Sequence, residues 1–97
     1  MADDAVKVAP QNFTVVVEND RVRVLDFRDR PGETIPMHSH PDLAAVALSG
    51  RFRSTSENGD VNENELEPGV VSFTPARIHS TENVGDSDGQ VILVELK

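Results

Sequence analysis

The sequence has no cysteine, tryptophan or tyrosine, and only four phenylalanines among its 97 residues. Without cysteine, the chain has no disulfide, no thiolate metal ligand and no cysteine nucleophile. The scarcity of aromatic rings leaves little surface on which bases or sugars could stack. No apolar run approaches the roughly 18 residues of a membrane span, and residues 1–11 lack the apolar stretch of a signal peptide. These absences predict a cytoplasmic protein that does not bind nucleic acid or a membrane.

The charge of the chain favours the same exclusions. Acidic residues outnumber basic ones by 17 to 9, and the formal net charge is −8. Such a balance repels phosphate backbones and anionic membrane surfaces. The length of 97 residues and the hydrophobic fraction of 37% predict one globular domain with a modest core. We expect residues 1–11 to form a loose arm or an edge strand before it.

Short alternating or apolar segments predict strands along the whole chain. Turn-forming residues separate them, among them Pro31-Gly32, the hairpin pair Asn58-Gly59 and Pro68-Gly69. No stretch has a helical period of useful length. This pattern predicts an all-β barrel or sandwich. The predicted strands cover residues 13–18, 21–27, 33–40, 43–48, 51–56, 61–66, 70–74, 77–82 and 90–96.

Strand 21–27 has apolar side chains on both faces. Val22 and Val24 lie on one face, and Leu25 and Phe27 lie on the other. A strand of this kind is usually covered on both sides. One cover would be the barrel interior and the other a partner subunit. The pattern and the small core therefore predict a homodimer.

The chain contains three histidines, His38, His40 and His79. His38 and His40 are two residues apart in a predicted strand, so both side chains can point into the same cavity. If His79 joins them, three imidazoles form a site for one divalent transition metal, namely Fe, Zn, Ni or Mn. Three protein ligands leave a coordination position open for water, O₂ or substrate, which is typical of catalytic sites. The alternative is a pocket in which the histidines bind no metal.

The segment around the first two histidines resembles the first motif of the cupin family. That motif is a glycine, five residues, His-x-His, a glutamate three or four residues later, and a closing glycine. Gly32 and Gly50 frame the histidines here, with one residue fewer than the motif has. The metal-binding glutamate of the family falls at Leu43 or Ala44, and neither can bind a metal. Asp42 could replace it, but a solvent-facing loop residue is the simpler interpretation.

The segment around the third histidine resembles the second cupin motif, in which a glycine, a Pro-x-Gly, a histidine and an asparagine follow at set spacings. Gly69 and Pro75 match, as do His79 and Asn83, although the spacing from proline to histidine is one residue short. We expect Asn83 to hold a turn or to bond a neighbouring strand. Arg77 stands near the missing glycine, where it receives a substrate carboxylate or forms a surface salt bridge.

The resemblance covers residues 20–96 and implies a small cupin of the three-histidine type. Its fold would be a double-stranded β-helix, or jelly-roll barrel, with residues 1–97 as a single domain. Three-histidine cupins include dioxygenases, so the resemblance implies a dioxygenase-like enzyme for a small organic acid or a dicarbonyl compound. The open alternatives are a non-catalytic cupin that binds a small molecule or metal, as a sensor or accessory protein, and a zinc-dependent hydratase or lyase.

Six residues are predicted to line a substrate pocket beside the histidines. One lies next to the first histidine, one is the arginine near the third, and four are apolar residues of other predicted strands. For the residue next to the first histidine, packing in the core is an equally simple explanation, and for the four apolar residues of other strands it is the simpler one. The predicted pocket residues are Met37, Arg77, Phe27, Phe73, Ile92 and Val94.

Overall fold

The computed structural model describes residues 2–97, which form one short helix and nine strands. The strands account for most of this part of the chain, so the all-β prediction is confirmed. The elements are α1 (Ala5–Val8), β1 (Phe13–Glu18), β2 (Val22–Asp29), β3 (Thr34–His40), β4 (Leu43–Ser49), β5 (Arg51–Ser56), β6 (Val61–Glu65), β7 (Val71–Thr74), β8 (Arg77–Asn83) and β9 (Gly89–Leu96). Every predicted strand is present, and each observed end lies within two residues of the predicted one. Within residues 2–97, no helix has the length and apolar character needed to cross a membrane.

The strands form two antiparallel sheets. One has five strands in the order β1-β2-β9-β4-β7, and the other has four in the order β3-β8-β5-β6. The chain crosses between the sheets at most of its connections, so neighbours within a sheet are mostly distant in sequence. This is the topology of a jelly-roll barrel, as predicted. It places residues from all parts of the chain around one interior.

The segment before β1 differs from the predicted loose arm or edge strand. Residues Ala5–Val8 form the helix α1, and the side chain of Asp4 accepts a backbone N–H of its first turn. Ala5 and Ala9 are buried in the core, and Asp4 forms a β-bridge with Ser39 of β3. A helix of 4 residues is too short to produce a recognisable period in the sequence. Its small residues allow close packing against the barrel.

The core lies between the two sheets, where alternate residues of each strand point inward. Phe13, Leu25, Ile35 and Leu43 are at most 3% exposed. Burial of each such side chain contributes about 1.5–3 kcal/mol. The three histidines are buried in the same interior. The barrel therefore surrounds its polar site with an apolar shell.

Asn83 holds a turn, as predicted, and it also connects the two sheets. Its Nδ2 donates to Asp29 Oδ1 in β2 (3.1 Å) and to the backbone oxygen of Ser87 (3.0 Å). Its Oδ1 accepts the backbone N–H of Gly85. Burial raises the pKa of the Asp29 carboxyl to about 6. This cluster joins β2 of one sheet to β8 of the other.

Candidate metal centre

Strand pairing brings the three histidines together. His38 and His40 lie on β3, and His79 lies directly opposite His38 on the neighbouring strand β8. All three are buried, with exposures of 1%, 6% and 5%. Each contributes one ring nitrogen to a group whose members lie within 4.8 Å of one another. The pairing register of β3 with β8 therefore places His79 beside His38, which the sequence spacing alone did not determine.

Each histidine has its Nδ1 engaged in a hydrogen bond. His38 Nδ1–H donates to the backbone carbonyl two residues earlier (2.7 Å), and His40 Nδ1–H donates to Glu95 Oε2 (2.7 Å). His79 Nδ1 lies 2.8 Å from Ser54 Oγ. Because a carbonyl and a carboxylate only accept, the proton of His38 and of His40 is on Nδ1. Nε2 is therefore the nitrogen that remains for a metal.

The electrostatics of the site keep the imidazoles of His38 and His79 neutral. Burial lowers the pKa of His38 to about 4, and the neighbouring His40 and Arg77 side chains act in the same direction. Burial likewise lowers the pKa of His79 to about 2, with further contributions from Arg77 and the two other histidines. Both rings are therefore uncharged at neutral pH. That is the form in which imidazole binds a metal.

The donor set fits a single divalent transition metal. Three imidazole nitrogens are typical ligands of Zn, Fe and Ni. Hydrogen bonds at Nδ1 fix the tautomer and ring orientation, as is usual for metal-binding histidines. Three ligands leave at least one position for a further molecule on the cavity side. His38, His40 and His79 are therefore the residues that would hold the ion.

The position of the family's glutamate is occupied by an apolar side chain. Leu43 points into the interior and is 1% exposed, whereas Ala44 is on the opposite face of β4 and pairs with Phe73. Asp42 does not replace this glutamate, because its Oδ1 accepts the backbone N–H of Ala76 (2.7 Å). Within the described chain, the three histidines are the only such group of potential ligands.

Glu95 is a site residue that sequence reasoning missed. It is 2% exposed, and its Oε1 accepts from Arg23 Nε (2.8 Å) and Nη2 (2.6 Å). Its Oε2 accepts from His40, while Arg23 also pairs with Asp4 at the start of α1. The signal was available: Glu95 shares a face with Val91 and Leu93 in β9, and an acid at such an inward position needs a partner.

A cavity of about 590 Å³ lies beside the histidines. Both sheets contribute to its walls, with Phe27, Phe52 and Leu93 among the apolar residues. Arg77, His79 and Thr81 alternate along β8 and all line it. Thr81 Oγ1 is buried and has no hydrogen-bond partner within residues 2–97. One strand thus presents a cation, an imidazole and a free hydroxyl to the cavity.

Of the six predicted pocket residues, Phe27 and Arg77 line the cavity. The other four do not, because they alternate with the residues that point inward. Met37 precedes the inward His38 and is 38% exposed, and Phe73 is 63% exposed. The sequence did not distinguish the two faces of β9, because both are apolar. On β7 the apolar face, which carries Phe73, is the one that points outward. The residues outside the cavity are Met37, Phe73, Ile92 and Val94.

Arg77 is the positively charged side chain at the cavity rim. It is exposed, and its charge lowers the pKa of His38 and His79. The predicted alternative, a surface salt bridge, is not formed with any acidic group of residues 2–97. Its guanidinium is therefore available to a molecule in the cavity.

Known proteins match this chain by structure, but neither family models nor curated sequences match it. No family model matches the sequence, and no curated protein matches it significantly. A cupin domain from Bordetella pertussis Tohama I superimposes with a TM-score of 0.80 and 25% identity, over 100% of this chain and 97% of that chain. The chain has the cupin fold. An RmlC-like cupin protein from a Desulfovibrio desulfuricans subspecies agrees, with a TM-score of 0.60 and 25% identity over 92% of this chain and 88% of that chain.

The cupin resemblance drawn from the two histidine motifs is thus confirmed at the level of the fold. A predicted oxalate decarboxylase from Thermotoga maritima also has this fold. Its TM-score is 0.64 and its identity is 21%, over 88% of this chain and 79% of that chain. At this identity the likeness concerns the fold alone. The cupin fold hosts several chemistries, so the function has to be argued from the site.

Proposed function

We propose that this protein is a metal-binding cupin that holds one divalent transition metal, Fe, Zn, Ni or Mn, on His38, His40 and His79. We further propose that it is a dioxygenase-like enzyme for a small organic acid or a dicarbonyl compound. The observation that carries the proposal is the convergence of three buried histidines, each with Nδ1 engaged, beside a cavity of about 590 Å³. When bound, the metal would supply a Lewis acid at an open coordination position.

Arg77 supports a substrate that carries a carboxylate. Its guanidinium can donate two parallel hydrogen bonds to one carboxylate, and no ion pair within residues 2–97 competes for it. It lies two residues from His79 on the same face of β8. A small acid bound at Arg77 would therefore place its other end near the histidines. The hydroxyl of Thr81 offers a further hydrogen bond on the other side of His79.

The remaining cavity residues have supporting roles in this proposal. Phe27, Phe52 and Leu93 form apolar walls, which bind the carbon skeleton of a small molecule and limit the entry of water. Glu95 holds the ring of His40 in place and increases its basicity as a ligand. Ser54 Oγ forms a hydrogen bond with His79 Nδ1 and holds that ring in place in the same way. These contacts prepare the imidazoles before a metal binds.

The proposal also includes the assembly and location of the protein. We propose a homodimer in the cytoplasm, with residues 1–97 acting as one domain. The packing of α1 against the barrel supports the single domain, because Ala5 and Ala9 belong to the main core.

Metal content is the first experiment. Mass spectrometry on untagged protein, purified without added metal or chelator, should find about one divalent transition metal per chain. His79→Ala should lose it. Ser80→Ala, a change at the next residue of the same strand, should keep it. No metal in the parent protein, together with no uptake on titration with Fe(II), Zn(II), Ni(II) or Mn(II), would contradict the proposed centre.

Turnover is the second experiment. Protein loaded anaerobically with Fe(II) is mixed with β-diketones, thiols or small keto acids, and O₂ uptake is followed. Metal-dependent O₂ uptake supports the dioxygenase-like activity. Turnover of the zinc form without O₂ would indicate a hydratase or lyase instead. A ligand-induced rise in the melting temperature without any turnover would indicate a binding protein, such as a sensor, and would also contradict the enzymatic proposal.

A further inference from the structure

The segment before β1, residues 2–9, lies across the seam between the two sheets, and we call it the strap. β1 is an edge strand of the five-stranded sheet and β3 is an edge strand of the four-stranded sheet, and α1 packs against both. Ala5 and Ala9 belong to the barrel core. A helix of 4 residues is not stable by itself, because nucleation of the first turn is unfavourable. Tertiary contacts therefore hold the strap on the barrel.

The strap adds a short piece of strand to β3 between the first two histidines. The backbone N–H of Ser39 donates to the carbonyl oxygen of Asp3 (2.8 Å), and Asp4 forms a parallel bridge with the same serine. Ser39 lies between His38 and His40, which are both buried. The strap therefore fixes the backbone of the segment that carries two of the three imidazoles.

A chain of charged side chains links the strap to His40. Both carboxylate oxygens of Asp4 accept from the guanidinium of Arg23. Arg23 also donates to Oε1 of Glu95, whose Oε2 accepts from His40 Nδ1–H (2.7 Å). Two carboxylates thus fix the Arg23 side chain from opposite ends. Without Asp4 the arginine would keep only one of these anchors, and Glu95 would hold the imidazole of His40 less firmly.

The strap also places an aromatic ring beside the histidines. The backbone N–H groups of Asn12 and Phe13 both donate to the carbonyl oxygen of Ala9, at 3.0 and 3.1 Å. The centroid of the Phe13 ring lies 5.4 Å from that of His38 and 5.7 Å from that of His40. The end of the strap, this ring and the two imidazoles therefore pack as one layer, and movement of the strap would disturb all of them.

We propose that the strap regulates the histidine site, with Asp4 and Arg23 as positioning residues, so that docking of the strap and binding of a metal stabilise each other; this rests on the proposed metal centre. Such coupling is reciprocal, because the docked strap increases the affinity for the metal by the same factor by which bound metal favours docking. A short segment of this kind opens locally while the sheets stay folded. Its release would therefore loosen the metal without unfolding the barrel.

The test compares two carboxylates that are equally exposed and that both pair with an arginine. Asp4→Asn removes the ion pair of the strap but keeps a side chain that caps α1. Glu82→Gln is the matched control, because the side chain of Glu82 is 41% exposed, against 40% for Asp4, and pairs with Arg53 on the outside of the barrel. Competition with a chromophoric chelator gives the affinity for Zn(II), and thermal unfolding checks that each variant is folded.

We expect Asp4→Asn to weaken Zn(II) binding at least about 5-fold, and Glu82→Gln to leave it unchanged. Arg23→Lys should fall between these two variants, because lysine keeps the charge but not the planar set of donors that holds two carboxylates. In the parent protein, Zn(II) should slow hydrogen exchange at the backbone N–H of Ser39, which the strap covers. A strap that only fills space would not respond to the metal.

A readout without metal separates this inference from the proposed metal centre. In the metal-free protein, NMR should show that the His40 Nδ1–H proton exchanges with water faster in Asp4→Asn than in Glu82→Gln. If the parent protein binds Zn(II), equal affinities of these two variants, or exchange at Ser39 that Zn(II) does not slow, would overturn the regulation by the strap and leave the metal centre intact. A parent protein that binds none of the four metals would contradict the centre and, with it, the coupling to a metal. The positioning role of Asp4 would then be overturned by equal exchange rates of the His40 proton.

Discussion

Glu95 shows how one side chain can organise the site without belonging to the group of three histidines. Its two carboxylate oxygens have different partners, because Oε1 accepts from Arg23 and Oε2 accepts from His40. A buried carboxylate without such partners would cost several kcal/mol. Arg23 extends the chain of contacts to Asp4. The orientation of His40 therefore depends on residues from both ends of the sequence.

Replacement of this carboxylate should weaken metal binding. We expect Glu95→Gln to lower the affinity for Zn(II) by about 10–100-fold, because the amide orients His40 less firmly and does not increase its basicity. Competition with a chromophoric chelator measures the affinity. Glu63→Gln is the control, since Glu63 also pairs with arginines but lies on the exposed hairpin. Equal affinities for the two variants would show that Glu95 has a purely structural role.

Arg77 should decide which ligands the cavity prefers. We expect Arg77→Gln to weaken binding of a small keto acid by about 10–100-fold, the value of a charge-assisted hydrogen bond of ~1.5–3 kcal/mol. Binding of the methyl ester of the same acid should change much less. Isothermal titration of the metal-loaded protein gives both affinities, with Arg30→Gln as a control outside the cavity. A similar loss for acid and ester would argue against carboxylate recognition by Arg77.

At the scale of elements, alternation along the strands divides the site from the outer surface. On β8, Arg77, His79 and Thr81 all point inward. On β9, a shift by one residue would exchange the inward Leu93 for the outward Val94. Pairing with β2 and β4 on its two sides sets this register. The long-range ladder, more than local propensity, determines which residues reach the cavity.

The turn before β5 is tightly packed around Gly50, and a substitution there tests this packing. Gly50 has a φ of +119°, and a Cβ there would lie 2.8 Å from the Phe52 ring and 2.9 Å from Gly89 Cα. We expect Gly50→Ala to lower the free energy of unfolding by about 2–4 kcal/mol, through backbone strain and overpacking. Gly59→Ala should cost only about 1–2 kcal/mol, because Gly59 also has a positive φ but has open space around it. Urea unfolding measures both, and equal losses would contradict the packing effect.

At the scale of the whole molecule, the buried histidines couple stability to pH. The folded-state pKa of His38 is about 4 and that of His79 about 2, whereas an unfolded chain has histidine pKa values near ~6.5. Between these values the unfolded chain binds more protons than the folded one. The stability contributed by the neutral rings is therefore present above pH ~6.5 and is lost as the pH falls towards 4. Asp29, with its pKa raised to about 6, has the opposite effect, because its contribution is lost as the pH rises through 6.

We expect the metal-free protein to become less stable from pH 7 to pH 5, since two histidines oppose one carboxyl. The metal-loaded protein should lose stability more steeply, because protons compete with the metal for the imidazoles. Urea unfolding at several pH values, with and without Zn(II), measures both slopes. A free energy of unfolding that stays constant or increases upon acidification would contradict the neutral, buried state of the histidines.

Much of the fold could be read from local pattern. Turn pairs such as Asn58-Gly59 and alternating segments such as 51–56 predicted strands that the structure contains. The helix α1 was missed, because one turn has no period. Four of the six predicted pocket residues lie outside the cavity. Ile92 and Val94 lie on a strand with two apolar faces, which does not reveal their direction, whereas Met37 and Phe73 lie at outward positions of β3 and β7. Glu95 was missed because its partners, Arg23 and His40, are distant in sequence.

The sequence by itself determined the all-β class, the strand positions and the identity of the three histidines, since alternation and turn chemistry act between near neighbours along the chain. Only the tertiary structure decided that His79 lies opposite His38, that Leu43 fills the place of the family's glutamate, and that Glu95 supports His40. These contacts depend on the register between strands that are far apart in the chain. Register is set by the packing of the whole barrel, and no local segment carries that information.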